Sequence, residues 1–189
     1  MSKPYLIVMS GLPGSGKSTI AERIAQRLRI PVFSVDPIES AIIKAGIVRS
    51  FETGLAAYLV AQTLADEQLR LGNSVIIDAV NAEEEGKDTW RSLAQRYNLD
   101  LIILDVFMSD HALHRKRIES RIRNLHGFNE VTWDMVVVRQ KAFTPWVEPT
   151  LRLDAATDLA ANVDAALRYI HMHSRQGGTG SMSRAQRHR

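Results

Sequence analysis

Cysteine is absent from all 189 residues. That excludes disulfides and thiolate metal sites, so the fold must rest on packing, and it accords with a cytoplasmic location. Long hydrophobic runs are missing too. The longest, Leu55 to Ala61, is about seven residues, against the ~20 that a bilayer-spanning helix needs. The opening Met1-Ser2-Lys3-Pro4 leads at once into an apolar segment, so neither a secretion signal nor membrane attachment is expected. Zinc spacing is lacking as well: His111 and His114 stand three apart, with no second pair to complete a site. Finally, there is little excess of charge in the body of the chain. The pI is about 9.4, but the segment 174–189 holds Arg175, Arg184, Arg187 and Arg189 and no acid. Without those four, 20 of the 24 basic residues face 21 acids. A near-neutral body argues against a nucleic-acid partner, which normally meets a cationic track.

What is present is ordinary for a globular protein: 45% hydrophobic and 24% charged residues, in a length that suits one domain. We expect that domain to span 1–173. The segment 174–189, with Met182 as its one large apolar residue, is expected to be a disordered basic tail.

The chain's most specific feature is Gly11-Leu12-Pro13-Gly14-Ser15-Gly16-Lys17-Ser18-Thr19, a match to G-x-x-x-x-G-K-[ST]. The apolar run Tyr5–Met9 precedes it and reads as a buried parallel strand. Ile20, Ile24 and Leu28 follow at helical spacing, with Ala21 and Ala25 in the same stripe. Strand, glycine loop and helix together aim free backbone N–H groups at an anion. In this pattern Gly11 to Thr19 cradle the phosphates of ATP, Lys17 meets the β- and γ-phosphates, and Ser18 ligates Mg2+.

Downstream, β-branched runs alternate with helical patterns, the signature of βαβ units. Strands are expected at 31–35, 74–78, 101–107 and 150–154. Helices are expected at 38–45, 55–71, 83–97, from Asp110 onward, 131–143 and 158–171. On the 55–71 helix, Ala57, Val60, Ala61, Leu64 and Leu71 form the apolar face. In the helix opened by Asp110, Leu113, Ile118, Ile122 and Leu125 share one side, and Arg117 and Arg121, four apart, share another. The predicted fold class is α/β: a three-layer P-loop NTPase fold with a five-stranded parallel sheet.

These residues resemble the small P-loop kinases of the adenylate-kinase-like group. The likeness is to polynucleotide-kinase-like and AAA-type ATP-binding proteins, with gluconate kinase, adenylylsulfate kinase and zeta toxin as cousins. It rests on the glycine loop, on Asp36 after the second strand, on Asp78-Ala79-Val80-Asn81 after the third, and on the arginines Arg117 and Arg121. It implies sheet order 2-3-1-4-5 and a helical lid at about 111–130. It also implies an ATP-dependent transfer of the γ-phosphate to a hydroxyl of a small molecule, with Mg2+ as cofactor. Asp36 would take the proton of the attacking hydroxyl, Asp78 would hold the metal, and Arg117 and Arg121 would neutralise charge on the moving phosphoryl group.

Asp105, ending Leu101-Ile102-Ile103-Leu104, is a rival to Asp78, set back because apolar chain follows it. Asn81, Arg91 and Arg139 are further candidates for substrate contact. The acceptor pocket is expected among 38–58 and 128–146, where no acceptor-specific motif stands. Two other readings belong beside the kinase: a polynucleotide 5′-hydroxyl kinase, and a nucleotide-gated binding protein with slow hydrolysis and no acceptor. Either a monomer or a homodimer fits.

Overall fold

The computed structural model describes residues 3–176 apart from 123 and 128. Arg123, one cation of the expected lid, and residues 177–189 of the expected tail lie outside the described residues. Five parallel strands form one sheet in the order β2-β3-β1-β4-β5, the order implied by the resemblance. They are β1 (Leu6–Ser10), β2 (Val32–Ser34), β3 (Val75–Asp78), β4 (Leu101–Phe107) and β5 (Thr150–Asp154). The seven described helices are α1 (Lys17–Leu28), α2 (Val35–Lys44), α3 (Phe51–Arg70), α4 (Glu84–Arg96), α5 (His111–Ser120), α6 (Trp133–Ala142) and α7 (Leu159–Gln176). None of these helices is long and apolar enough to cross a membrane.

β1 sits at the centre and is buried along its whole length, because both its faces are covered. Side chains alternate between two cores. Leu6 and Val8 point with Val75 and Ile77 into a core closed by α3 and α4, whereas Ile7 and Met9 join Ile20, Ile24 and Val163 under α1 and α7. This is the three-layer α/β arrangement. In register, Met9 pairs with Asp78 and Ser10 with Asp105, so Asp78 at the end of β3 and Asp105 within β4 flank the end of β1. Ligands of such sheets collect at that carboxyl edge.

The expected apolar face of α3 needs correcting. The buried lane is Thr53, Ala57, Ala61, Ala65 and Leu69, while Val60, Leu64 and Leu71 are exposed. Small side chains at every fourth position let the helix lie close to its neighbours, and Trp90, fully buried on α4, fills the space beside it. Its end follows expectation: Gly72 at φ 81° and the bond from Asn73 N–H to the Gln68 carbonyl (2.9 Å) form a left-handed stop. α7 runs through Gln176, and so takes in the first three residues of the segment 174–189.

Lys87 is the chief buried cation of the α4 layer, with no exposed surface. Its ammonium donates to Glu84 Oε1 (2.8 Å), the Thr144 carbonyl (2.7 Å) and Thr144 Oγ1 (2.6 Å), pinning the segment between α6 and β5 onto α4. Lys87→Met should cost about 2–3 kcal/mol, because the acceptors it serves lose their donor. Thermal unfolding should then fall by roughly 5–10 °C, at about 2–4 °C per kcal/mol for a chain of this size. A shift under about 2 °C would mean that the segment is held by other means.

Candidate active site

The glycine loop joins β1 to α1 in the predicted register. Gly11, Gly14 and Gly16 have φ of 137°, 76° and 93°, conformations that L side chains rarely adopt. At Gly11 the need is also spatial: a Cβ there would sit 2.2 Å from the Val106 carbonyl oxygen. Two side chains fasten the loop from behind. Asn81, buried and at φ 52°, donates from Nδ2 to the Met9 carbonyl (2.7 Å) and accepts from Trp90 Nε1 (2.9 Å). His114, buried on α5, donates from Nε2 to the Pro13 carbonyl (2.8 Å), its ring edge-on to Trp133 at 5.2 Å.

Three cavities meet at the loop. The first, about 400 Å³, is lined by Gly14, Gly16, Lys17, Ser18, Thr19, Arg117 and Arg121, with Ala155 to Asn162 along its far side. The second, about 380 Å³, lies between α2, α3 and α6 and holds Asp36, Glu39, Arg49, Tyr58 and Arg139. The third, about 220 Å³, joins them and is lined by Ser18, Ser34, Asp36 and Asp78. Lys17 and Arg121 line all three. A larger cavity of about 760 Å³ lies behind the loop against β4 and β5 and contains neither Lys17 nor Asp36.

Asp36 does not end a strand. β2 stops at Ser34, and Asp36 occupies the first turn of α2, followed by Pro37. Proline is tolerated there because first-turn N–H groups have no intrahelical acceptor, and a carboxylate is favoured there by the helix dipole. Arg117 and Arg121 do not share a helical face. α5 ends at Ser120, whose hydroxyl donates back to the Lys116 carbonyl (2.7 Å), and Arg121 is extended at φ −76°, ψ 129°. Ile122, expected on the apolar side, is accordingly exposed. Both arginines nevertheless reach the first cavity, and Nη1 of Arg117 lies 3.6 Å from where a Cβ on Gly16 would be. Asp110 caps α5 as expected, accepting from the Leu113 N–H (2.9 Å).

Asp78 closes β3, buried, and accepts from Ser34 Oγ at 3.2 Å through Oδ2. Its Oδ1 is buried with no hydrogen-bond partner among the described residues. An orphaned carboxylate oxygen beside Ser18 fits a magnesium ion, which needs only one or two carboxylates when phosphate and water supply the rest. Asp105 lies within β4, paired to Arg152 at 3.2 Å, and burial raises its carboxyl above the usual range.

Two substrate candidates are placed elsewhere. The amide of Asn81 is engaged at both ends inside the protein. Arg91 lies outside the second cavity. It binds Glu84 (2.8 Å), Asp88 (2.7 Å) and both oxygens of Glu148, which raises its own pKa, and with Lys87 it holds Glu84 down at about 2.

Sequence reasoning missed Glu39, Arg49, Thr53 and Tyr58 as individuals. The one available signal was an acid, Glu39, in the largely apolar stretch Ile38 to Ile43. Burial pushes the Tyr58 phenol up to about 12, and the charge of Asp36 adds to it. Since this raised value stabilises the fold below the unfolded pKa near 10, stability should hold to about pH 9 and decline between about 10 and 12. Tyr58→Phe should flatten that decline in alkaline denaturation curves; an unchanged slope would assign it to other groups.

A parallel 2-3-1-4-5 sheet with a phosphate loop at its carboxyl edge defines the small P-loop kinase fold of the adenylate-kinase-like group. Residues 6–145 match the AAA domain family AAA_33, and the chain belongs to that family. It is similar to the signal recognition particle 54 kDa protein of Pyrobaculum neutrophilum, 27% identical over 175 residues, covering 91% of this chain but only 33% of that protein. The chain thus spans about a third of that relative's length. Among solved structures it resembles a chain from Chloroflexus aurantiacus (TM-score 0.72, 22% identity, 90% of this chain and 98% of that one). It also resembles a gluconokinase from Sinorhizobium meliloti (TM-score 0.64, 20% identity, 93% and 97%). A third is the Mycobacterium tuberculosis APS kinase CysC in complex with AMPPNP and APS (TM-score 0.66, 14% identity, 90% and 99%). At such identities these likenesses establish the fold.

Proposed function

We propose that the protein is an ATP-dependent phosphotransferase that moves the γ-phosphate to a hydroxyl of a small molecule. The observation that carries this reading is the meeting of two cavities at Lys17 and Arg121, one floored by the glycine loop and the other holding Asp36. A protein that only reports nucleotide state needs the first of these and not the second.

ATP lies along the loop, its phosphates on the backbone amides of Gly14 to Thr19 and its β- and γ-phosphates on Lys17. Ser18 and Asp78 would hold Mg2+, which would offset phosphate charge there. The acceptor enters the second cavity with its hydroxyl toward Asp36. Asp36 accepts the hydroxyl proton as the new O–P bond forms, an effect generally worth ~10²–10⁴-fold. Arg117 and Arg121 face the phosphoryl oxygens and stabilise charge that develops in transit. The segment 111–130 serves as the lid, keeping water from competing with the acceptor. The fold of gluconokinase and APS kinase, shared by this chain, is consistent with small acceptors of this kind.

ADP release measured across sugars, nucleosides and 5′-hydroxyl oligonucleotides tests the assignment. An acceptor-dependent rise is expected for a small molecule. Preference for the oligonucleotide would turn the reading to end repair, and hydrolysis indifferent to every acceptor would turn it to nucleotide gating.

A further inference from the structure

The second cavity carries more information than its size. Among the described residues its walls hold four cations, Lys17, Arg49, Arg121 and Arg139, against three carboxylates, Asp36, Glu39 and Glu83. Lys17 and Arg121 also line the nucleotide cavity, which leaves Arg49 and Arg139 as the cations of the acceptor end.

Arg49, in the connection between α2 and α3, is held by a buried relay. Glu39 is 8% exposed, and its Oε1 accepts from Thr53 Oγ1 (3.0 Å) and from Arg49 Nε (3.5 Å). Thr53 is itself buried and locked into the cap of α3, accepting from the Ser50 N–H (3.1 Å) and sharing its one hydroxyl hydrogen between Glu39 Oε1 and the Ser50 carbonyl (2.8 Å). Burying a carboxylate is costly unless it is paired. Here the pairing fixes Nε of the guanidinium and orients the planar fork beyond it. Arg139 approaches from α6, lines the same cavity and has no ion-pair partner among the described residues. Two guanidinium groups from separate elements, one aimed by a buried acid and one without a counter-ion, suit a carboxylate, phosphate or sulfate that accepts paired hydrogen bonds.

Resting on the kinase reading, we infer that the acceptor is itself a small hydroxylated anion, its charged group gripped by Arg49 and Arg139 while its hydroxyl faces Asp36. The cavity of about 380 Å³ suits a single sugar-sized molecule. Glu39 and Thr53 are positioning residues in this scheme, acting through Arg49.

Inorganic sulfate is the direct probe. With the nucleotide cavity filled by Mg2+ and AMPPNP, calorimetry should register one further sulfate per chain. Arg139→Gln that still takes up AMPPNP should weaken it at least tenfold, and Glu39→Gln should weaken it less. No sulfate heat in the AMPPNP complex, or the same heat in Arg139→Gln, overturns the inference.

Matched acceptors supply the second measurement: D-gluconate against D-glucitol, glycerol 3-phosphate against glycerol, thymidine 3′-phosphate against thymidine. The charged member of at least one pair should lead by tenfold or more in kcat/KM, through KM. That lead should shrink, through KM, in Glu39→Gln and in Thr53→Val, and should be kept in Thr53→Ser, which retains the hydroxyl. The pair that responds identifies whether carboxylate, phosphate or nucleotide is the natural source. Neutral members that lead in every pair would overturn the inference while leaving the kinase reading intact. Sulfate binding with no acceptor response in any broader screen would instead defeat the kinase reading and leave the anion site standing.

Discussion

Lys17→Ala is expected to lower turnover by ~10³-fold or more, the scale at which oriented cations and donors act on a phosphoryl group in transit. The residue opens α1, is only 7% exposed, and borders both the nucleotide and the acceptor cavities. A charge in that position acts in a partly dehydrated setting, where its effect on phosphate oxygens is stronger than in water. The substitution removes a side chain from the rim of the core, so the fold should survive, and circular dichroism with thermal unfolding checks that it does. Nucleotide affinity should also weaken, because Lys17 serves ground and transition states alike, so the loss should appear in both kcat and KM for ATP. Activity within tenfold of the parent, in a folded protein, would remove the glycine loop from the chemistry.

Asp36→Asn tests the other half of the site. Transfer to the acceptor should fall by about 10²–10³-fold while AMPPNP binding changes by less than about threefold, because the amide keeps the shape of the first turn of α2 but cannot take up a proton. A split of this kind is particular to a proton-accepting group. If affinity for nucleotide fell in parallel with turnover, Asp36 would be organising the metal-bearing side of the site with Asp78, which shares its small cavity. If transfer persisted, the acceptor hydroxyl would need no base.

The sheet could be read in advance because its signals are local. β1, β3 and β4 open on apolar runs, α1 carries an apolar stripe, and the glycine loop fixes the central strand. What escaped was decided by tertiary contact. Alanine spacing on α3 looks like a weak face beside Val60 and Leu64, yet closeness to Trp90 makes the alanines the buried lane. Arg121 sits at helical spacing from Arg117, but the hydroxyl of Ser120 offers the backbone an alternative and the helix stops. Arg91 stands on the Trp90 helix beyond Asn81, and the acid it pairs with, Glu148, is 57 residues away and has no motif. The second cavity draws part of its lining from the segments 38–58 and 128–146, and which of their side chains face one another across α2, α3 and α6 had no signal in the sequence.

One bond has a consequence for timing. In a trans peptide the carbonyl and the following N–H point in opposite directions. By holding the Pro13 oxygen at 2.8 Å, the His114 imidazole therefore also fixes where the Gly14 hydrogen points, before any triphosphate arrives. The same imidazole sits one helical turn before Arg117 on α5. A shift of the proline would therefore be felt by α5 through the imidazole, on the same helix that carries Arg117.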